Sequence, residues 1–242
     1  MIVRRVLLKM SGEAIVAEDS KIISLQRLDS FSQQVASAMK RSPDLQVAVV
    51  VGGGNILRGK DFPEVGRVKA DHMGMLATVI NSLALQDSLA RSELTSRVLT
   101  GIEIPRVAEP YIHGRAIRHL DKGRVVVFAG GTGNPYFTTD MAAALRATEI
   151  EAEVVLLAKY GTDGVYDKDP NKFGEAIKLP ATLCYDTLLS RNLGVMDMTA
   201  VSHCKEHHVP IYIFDMERPN AVTNALLGET DGGTYISDVG EG

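Results

Sequence analysis

Three short apolar segments of the chain each end in glycine or in a small polar turn. The turns lie at residues 9–12 (K-M-S-G), 52–55 (G-G-G-N) and 130–134 (G-G-T-G-N). Because glycine has no side chain, it lets backbone N–H groups approach a phosphate closely. Strand-to-helix connections also use glycine for steric reasons alone, so one such turn is weak evidence. Three of them in one chain predict an anion site at the sheet edge where the strands end.

Two basic residues beside these turns suit phosphate chemistry. Lys9 directly follows an apolar strand, where an unpaired charge would be costly, so we expect it to have an anionic partner. That partner is either a carboxylate at the edge of the core or a transferring phosphoryl group, which needs positioning and charge neutralisation. Arg58, four residues after the triple glycine, suits the same role unless it is simply solvated.

Other nucleotide-binding and catalytic patterns are missing from the sequence. It has no G-x-x-x-x-G-K-[ST] loop, and no G-x-G-x-x-G turn with an acidic residue about 20 positions later. The protein-kinase strings H-R-D and D-F-G are also absent. Cys184 and Cys204 lack metal-ligand spacing, and we expect two reduced thiols. His207 and His208 are adjacent, so they point to different faces of a helix rather than at one metal ion.

The elements that must position these residues alternate between strand and helix. Runs of β-branched and aliphatic residues predict strands at 6–8, 47–51, 125–129, 154–158 and 211–214. Their apolarity is continuous, which is typical of parallel strands buried on both faces. One stripe of an amphipathic helix consists of Leu28, Phe31, Val35 and Met39. The predicted fold class is α/β, a three-layer αβα sandwich around a central, mostly parallel twisted sheet.

Two further helices are predicted. The segment 73–89 is apolar on most of its circumference. Such a helix is either central to the fold or packed against another subunit, and both interpretations stay open. A later helix runs toward His208 and ends before Pro210, with Asp197 as its candidate N-cap.

Composition limits the classes of function. Hydrophobic residues make up 45% and charged residues 23% of the 242 residues, which are ordinary values for a globular protein. The net charge of −4 argues against non-specific nucleic-acid binding, which needs a basic surface. No apolar stretch approaches the ~20 residues of a spanning helix, and the N-terminal segment is too short in apolar residues for a signal peptide. We expect a soluble, cytoplasmic protein without nucleic-acid or membrane partners.

Six strings of the sequence occur in the same order in a known enzyme family. They are K-M-S-G-E-A at 9–14, V-G-G-G-N-I-L-R-G at 51–59, D-H-M-G-M-L-A-T at 71–78, T-G-N-P-Y-F-T-T-D at 132–140, D-G-V-Y-D-K-D-P at 163–170 and V-M-D at 195–197. Together they resemble the bacterial uridylate kinases, the UMP kinases of the amino-acid-kinase superfamily. The resemblance runs from about residue 3 to residue 236, and the third and fourth strings are specific to that enzyme within the superfamily.

The resemblance implies reversible transfer of the γ-phosphoryl group of ATP to UMP, giving UDP and ADP in pyrimidine nucleotide biosynthesis, with magnesium accompanying ATP. It implies a single amino-acid-kinase domain over residues 1–242, with the nucleoside-monophosphate part at roughly 1–150 and the ATP-binding part at roughly 151–242. It also implies a homohexamer and inhibition by UTP at the UMP site.

The site residues that the resemblance implies divide between the two nucleotides. Those on the ATP side are Lys9, Met10, Ser11, Gly12, Gly54, Arg58, Lys159, Tyr160, Tyr166 and Asp169. Those on the UMP side are Gly53, Asp71, Thr132, Gly133, Asn134, Pro135, Tyr136, Phe137, Thr138 and Thr139. The catalytic candidates are Lys9, Arg58, Asp140 and Asp197, and no residue is assigned as a metal ligand. Because the phosphate oxygen of UMP is already anionic, alignment suffices and no dedicated base is needed.

Four of these residues have a plainer alternative. Asp140 and Asp197 either orient Lys9 or hold magnesium through water, or they serve only as helix caps. Asp71, at the start of a helix, either accepts from ribose hydroxyls or is an ordinary N-cap. Lys159 either touches the β- and γ-phosphates or is a surface lysine.

The sequence departs from the family pattern after Ala14. Many such enzymes carry a glycine-rich turn there that is linked to GTP activation, whereas residues 15–24 read I-V-A-E-D-S-K-I-I-S, without glycine. The resemblance therefore does not carry GTP activation to this chain.

Two other functions compete with UMP phosphorylation. One is a superfamily kinase acting on a carboxylate or carbamate acceptor, but residues 132–139 carry no positive charge to meet such an acceptor. The other is a non-catalytic nucleotide-binding regulator. Lys9 and Arg58 argue against it, because binding alone does not need charges placed for a migrating phosphoryl group.

Overall fold

The computed structural model of the chain describes residues 4–16, 22–57 and 64–239. Nine strands of these residues form one sheet. In chain order they are β1 (Arg5–Met10), β2 (Gln46–Val51), β3 (Ser96–Thr100), β4 (Glu109–Pro110), β5 (Val125–Ala129), β6 (Val154–Lys159), β7 (Thr182–Cys184), β8 (Ile211–Asp215) and β9 (Thr234–Ser237). The five strands predicted from apolar runs are confirmed as β1, β2, β5, β6 and β8.

The order of the strands across the sheet is β4-β3-β5-β2-β1-β6-β8-β9-β7. Every neighbouring pair is parallel except β8 and β9, which are antiparallel. The strands that the apolar runs predict lie side by side in the middle, where both faces are covered. The strands that the sequence analysis missed, β3, β4, β7 and β9, lie toward the two ends. The sheet is continuous between β1 and β6, and its division into two functional parts near residue 150 stays a prediction.

Seven α-helices of the described ranges cover the two faces of the sheet. They are α1 (Leu25–Arg41), α2 (Arg67–Arg91), α3 (His113–Asp121), α4 (Thr139–Glu149), α5 (Tyr185–Ser190), α6 (Met198–Glu206) and α7 (Ala221–Leu226). One apolar core joins the sheet to α1, α2 and α7, and a second joins it to α3, α4, α5 and α6. Alternate residues of β1 enter the two cores, with Leu8 in the first and Leu7 in the second. The predicted three-layer αβα architecture is confirmed.

Helix α2 has two unlike faces. Its inner face buries apolar side chains such as Val79, Leu85 and Leu89 against the sheet. Its outer face leaves Met73, Leu76 and Ile80 between 39% and 49% exposed. The helix is therefore central to the fold, which was one of the two interpretations. It also carries an apolar stripe that the described residues leave exposed. None of the helices in the described ranges combines the length and the apolarity that crossing a membrane requires.

Candidate active site

The three glycine-rich turns meet at one edge of the sheet. They follow β1, β2 and β5, which are neighbours and all run in the same direction. In the β1–β2 pair Met10 lies opposite Val51, so the two strands end level with each other. The side chain of Met10 is buried in the core, and its carbonyl accepts a hydrogen bond of 2.9 Å from Gly52 N. The structure thus brings the turns together as the sequence predicted.

The first two turns pack backbone against backbone. A β-carbon on Gly12 would lie 2.5 Å from Asn55 Oδ1 and 2.8 Å from Gly54 N, and one on Gly52 would lie 2.9 Å from Gly12 N. No side chain fits at either position without moving the other turn. Part of the glycine content therefore has the steric cause that the sequence left open. The same close packing brings the turn after β1 and the turn after β2 next to each other.

A buried ion pair lies beneath these turns. Lys9 Nζ on β1 is 2.6 Å from Asp140 Oδ1 in the first turn of α4, and the two side chains are only 8% and 17% exposed. Burial raises the pKa of Asp140, but the charge and hydrogen bond of Lys9, together with the charge of Lys159, outweigh it and hold the pKa below its ordinary value. The anionic partner that Lys9 requires is therefore a carboxylate at the edge of the core.

Asp197 extends the ion pair into a network. Its N–H donates to Asp140 Oδ2 (3.2 Å), while its own carboxylate accepts from Thr138 Oγ1 (2.8 Å) and from Thr199 N (2.9 Å). Asp197 is the N-cap of α6, so that prediction is confirmed. Asp140 is not a cap, because Thr138 accepts from Met141 N and caps α4 itself. The cap interpretation of Asp140 is wrong, and the interpretation in which it orients Lys9 matches its contact.

Lys159 ends β6 close to the same network. Burial is the largest influence on it and, with the positive charge of Lys9, lowers the pKa of Lys159 below its ordinary value, against the opposing charges of Asp140 and Asp169. Lys159 is half-buried near this network, and its role toward the β- and γ-phosphates stays a prediction. The positive charges of Lys9 and Lys159 repel each other, the charge of Asp140 offsets part of this repulsion, and an arriving phosphate would reduce it further.

The turn after β5 is held by backbone conformation and by α2. Gly130, Gly131 and Gly133 all have positive φ, and Tyr136 adopts φ of 72°. Gly130 N donates to Thr78 Oγ1 at 2.8 Å, and Tyr136 N donates to Asp71 Oδ2 at 2.7 Å. Helix α2 therefore holds this turn at two points, at Gly130 and at Tyr136. The side chains of the turn face solvent at Tyr136 and at Phe137, which are 65% and 50% exposed.

The remaining acceptor-side residues form local contacts in this turn. Asn134 N donates to Thr132 Oγ1 (3.2 Å), and Thr132 Oγ1 contacts Asn134 O (3.3 Å). Pro135 follows before the exposed aromatic pair, and Thr139 begins α4. The hydroxyls and backbone groups of this segment are thus presented beside the Lys9–Asp140 pair, because α4 carries both Asp140 and the end of the turn.

Asp71 lies in the second turn of α2 and not at its start. The N-cap of that helix is Gly66, so the interpretation of Asp71 as an N-cap is wrong. Its carboxylate instead accepts from Arg67 Nε at 2.8 Å and from Tyr136 N. Asp71 thus ties α2 to the turn after β5, and its side chain is 17% exposed.

Three of the ATP-side residues, Tyr160, Tyr166 and Asp169, lie on the loop that follows β6. Tyr166 OH donates to Asp163 Oδ1 (2.7 Å), and Asp169 accepts from Asn171 N (3.0 Å) and pairs with Lys172 (3.3 Å). Tyr160 turns toward α1, where Arg27 donates to its hydroxyl at 2.7 Å.

Tyr160 therefore lines a cleft of about 490 Å³ between α1 and α7, whose lining does not include Lys9 or Asp140. Ser11 and Gly12 begin the short 3₁₀ turn Gly12–Ile15 beside the triple glycine. Arg58 lies outside the described residues.

Sequence reasoning missed the residues that hold the turns from behind. Thr78 and Asn81 are buried in α2, and Asn55 follows the triple glycine. Asn81 Nδ2 donates to Gly52 O and to Asn55 Oδ1, each at 2.7 Å. The available signal was the set of polar residues on the inner face of α2, but it is not specific, because Ser82 and Ser88 are buried there as well.

The carboxylates of the site are a poor fit for a magnesium ion of their own. Asp140 Oδ2 and both oxygens of Asp197 accept hydrogen bonds from the protein, and the remaining oxygen, Asp140 Oδ1, faces the Lys9 ammonium at 2.6 Å, which would repel a cation. Among the residues that the structure describes, no group of three or more metal-ligating side chains comes together. Mg²⁺ in kinases is held largely by substrate phosphates and water, which needs no closed protein cage.

The comparison with known proteins agrees with this geometry. The model of the amino acid kinase family matches residues 4–215. This chain belongs to the amino acid kinase family.

Within this family the chain is 47% identical over 234 residues to the uridylate kinase of Oenococcus oeni, covering 96% of both proteins. This amino acid kinase also matches two solved structures at 36% identity. The UMP kinase from Bacillus anthracis gives a TM-score of 0.91, with 98% of this chain and 97% of that chain covered. The UMP kinase from Ureaplasma parvum gives 0.89, with 98% and 100% covered. The resemblance to uridylate kinases predicted from the six strings is confirmed.

Proposed function

We propose that this chain transfers the γ-phosphoryl group of ATP to UMP, giving UDP and ADP, and that it runs reversibly. The observation that carries the proposal is the buried Lys9–Asp140 pair, with Lys159 beside it, beneath three adjoining glycine-rich turns. The uridylate kinase and UMP kinase relatives supply the identity of the acceptor.

The two nucleotides are assigned to different turns. On the donor side, Ser11, Gly12 and Gly54 offer backbone N–H groups to the ATP phosphates, with Arg58 proposed beside them. On the acceptor side, Gly53 and residues 132–139 offer hydroxyls, amides and backbone groups to UMP. Asp71 is proposed to accept from the ribose. Its present partners, Arg67 and Tyr136 N, would have to share it with the nucleotide.

Lys9 is the proposed catalytic residue of the transfer. Its Nζ, oriented by Asp140, would neutralise charge that spreads over the oxygens of the migrating phosphoryl group. Lys159 would meet the β- and γ-phosphates from the next strand. Asp140 and Asp197 act through Lys9 and so are positioning residues. No residue has to remove a proton, because the attacking oxygen of UMP is already anionic.

Magnesium is proposed to arrive with ATP, where it would shield phosphate charge. Inhibition by UTP at the UMP site is likewise a proposal, based on the resemblance. The cytoplasmic location stays a prediction from the sequence.

The proposed assembly is a homohexamer. The support on the molecule itself is the exposed stripe of Met73, Leu76 and Ile80 on α2, which a second copy of the chain would cover.

Steady-state formation of UDP from ATP and UMP tests the function directly. Each alternative acceptor, a carboxylate or carbamate substrate of related kinases, is assayed in parallel, and UTP and GTP are titrated in. UMP is expected to be the productive acceptor. Turnover with another acceptor but none with UMP would overturn the proposal.

The variant Lys9→Ala tests the proposed catalytic role of Lys9. We expect kcat to fall by at least ~10²-fold while UMP binding, measured by calorimetry, is largely kept. A variant that retains most of its turnover would show that Lys9 is structural only.

A further inference from the structure

Two buried polar side chains on the inner face of α2 hold the glycine-rich turns and take no part in the proposed chemistry. Thr78 is 3% exposed and Asn81 is 0% exposed. Residues three positions apart lie on the same face of a helix, and each of these two side chains contacts a different turn. One rigid element therefore holds both turns from behind.

Asn81 fixes a peptide group of the triple glycine. Its Nδ2 donates to Gly52 O at 2.7 Å, and its amide pairs reciprocally with that of Asn55 at 2.7 and 3.1 Å. Because a peptide group is planar and trans, the direction of the Gly52 carbonyl also sets the direction of the Gly53 N–H. Asn81 thereby aims a backbone donor that is assigned to UMP.

Thr78 fixes the peptide group that opens the turn after β5. Its Oγ1 accepts from Gly130 N at 2.8 Å and donates to Met75 O at 2.7 Å. The carbonyl of the same peptide group, Ala129 O, accepts from Gly101 N at 2.9 Å. The peptide is therefore held at both ends. Beyond the last pair of the β2–β5 ladder, Val50 and Phe128, Thr78 and Asn81 connect this peptide and Gly52 through α2.

We propose that Thr78 and Asn81 are positioning residues that set the gap between the triple-glycine turn and the turn after β5. The inference rests on the proposed function, because the gap governs transfer only if these turns hold the two nucleotides. A misplacement of 1 Å between reacting groups costs about 10²-fold in rate. Loss of the hydrogen bonds of Thr78 or of Asn81 should therefore lower kcat more than it weakens the binding of either nucleotide.

The test uses variants of nearly equal size. Thr78→Val removes the hydroxyl, whereas Thr78→Ser keeps it. Asn81→Asp replaces the amide donor with a carboxylate oxygen facing Gly52 O. Ser82→Ala is the matched control, because Ser82 is equally buried and its hydroxyl donates only to the Thr78 carbonyl within α2.

We expect kcat for UDP formation to fall about 10- to 100-fold in Thr78→Val and in Asn81→Asp, with KM for ATP and for UMP within about threefold of wild type. Thr78→Ser and Ser82→Ala should stay within about threefold in kcat. Thermal unfolding of each variant confirms that it is folded at the assay temperature, and if Thr78→Val is not, the Asn81→Asp result decides alone.

Hydrogen exchange supplies a readout that does not depend on turnover. Peptides covering residues 125–134 should exchange faster in Thr78→Val than in wild type or Thr78→Ser, because the Gly130 N–H loses its acceptor. A wild-type protein that forms no UDP would overturn the proposed function, and this inference with it. Wild-type turnover with kcat unchanged in both variants, or with KM raised and kcat kept, would overturn the inference alone.

Discussion

At the scale of single residues, the site depends on the ion pair that Lys9 forms at the edge of the core. The side chain of Lys9 is 8% exposed, so a nearby counter-charge is needed. Asp140 supplies the counter-charge and is itself held by the Asp197 N–H. Sequence reasoning predicted an anionic partner for Lys9 without choosing between a carboxylate and a phosphate. That choice depends on where α4 begins relative to β1, which no local pattern specifies.

Asp140→Asn tests this ion pair through its pH dependence. In the folded protein the pKa of Asp140 lies below 3.8, the ordinary value of an aspartate. The stability that its ionised form contributes is therefore complete above that value and is lost as the pH falls toward the pKa of the folded state. We expect the variant to be less stable at pH 7 by about 3 kcal/mol, the cost of leaving a buried charge unpaired. The difference should persist at pH 5 and shrink below about pH 4.

Urea unfolding of both proteins at pH 7, 5 and 3 measures this difference. The control is Asp186→Asn, which removes an exposed partner of Lys205 and should change little. Equal stability of Asp140→Asn and wild type at pH 7 would contradict the assignment of a stabilising pair.

At the scale of elements, the sequence predicted the middle of the sheet and missed its ends. The sequence pattern predicts the five central strands because strands buried on both faces need continuous runs of apolar residues. These strands are β1, β2, β5, β6 and β8. The two-residue strand β4 and the three-residue strand β7 are too short for any periodicity to emerge. The glycine residues predicted the turns, but nothing in the sequence predicted that the turns pack against each other. Contact between segments that are distant in sequence leaves no local pattern.

Gly12→Ala tests the packing of the first two turns. The new methyl group would meet Asn55 Oδ1 and Gly54 N at distances no side chain normally tolerates. We expect a loss of about 2 kcal/mol in unfolding free energy from overpacking and a rise of about tenfold in KM for ATP, since Gly12 and Gly54 are proposed to hold the ATP phosphates.

Gly114→Ala is the matched control, because its position in α3 has open space and alanine favours a helix interior by roughly 0.5–1 kcal/mol. A Gly12→Ala protein as stable and as active as wild type would mean that the turns can separate freely.

At the scale of the whole molecule, α2 joins two surfaces of different purpose. Its inner face anchors the turns through Thr78 and Asn81, and its outer face presents Met73, Leu76 and Ile80 to solvent. An apolar stripe of this kind on a single chain indicates a partner surface. If a second copy of the chain covers this stripe, α2 takes part both in assembly and in the alignment of the active site.

Leu76→Glu tests the assembly. A charge in the centre of the stripe should cost several kcal/mol if it is buried between subunits, so we expect a shift to smaller species in light scattering at micromolar concentration. Val239→Glu, at an exposed apolar residue far along the chain, should leave the mass unchanged. A wild-type protein that is already monomeric would contradict the proposed assembly.

The strand order also determines when the sheet can be completed during synthesis. Strand β7 pairs with β9 at the edge of the described sheet, and β9 reaches the ribosome exit only after α5, α6, β8 and α7. Until then the nascent chain carries β7 without a sheet partner and β8 with one open edge, which is the kind of surface that attracts foreign strands. A chain whose translation stops between residues 215 and 234 would therefore keep β8 with an open edge and β7 unpaired, which makes it prone to aggregation.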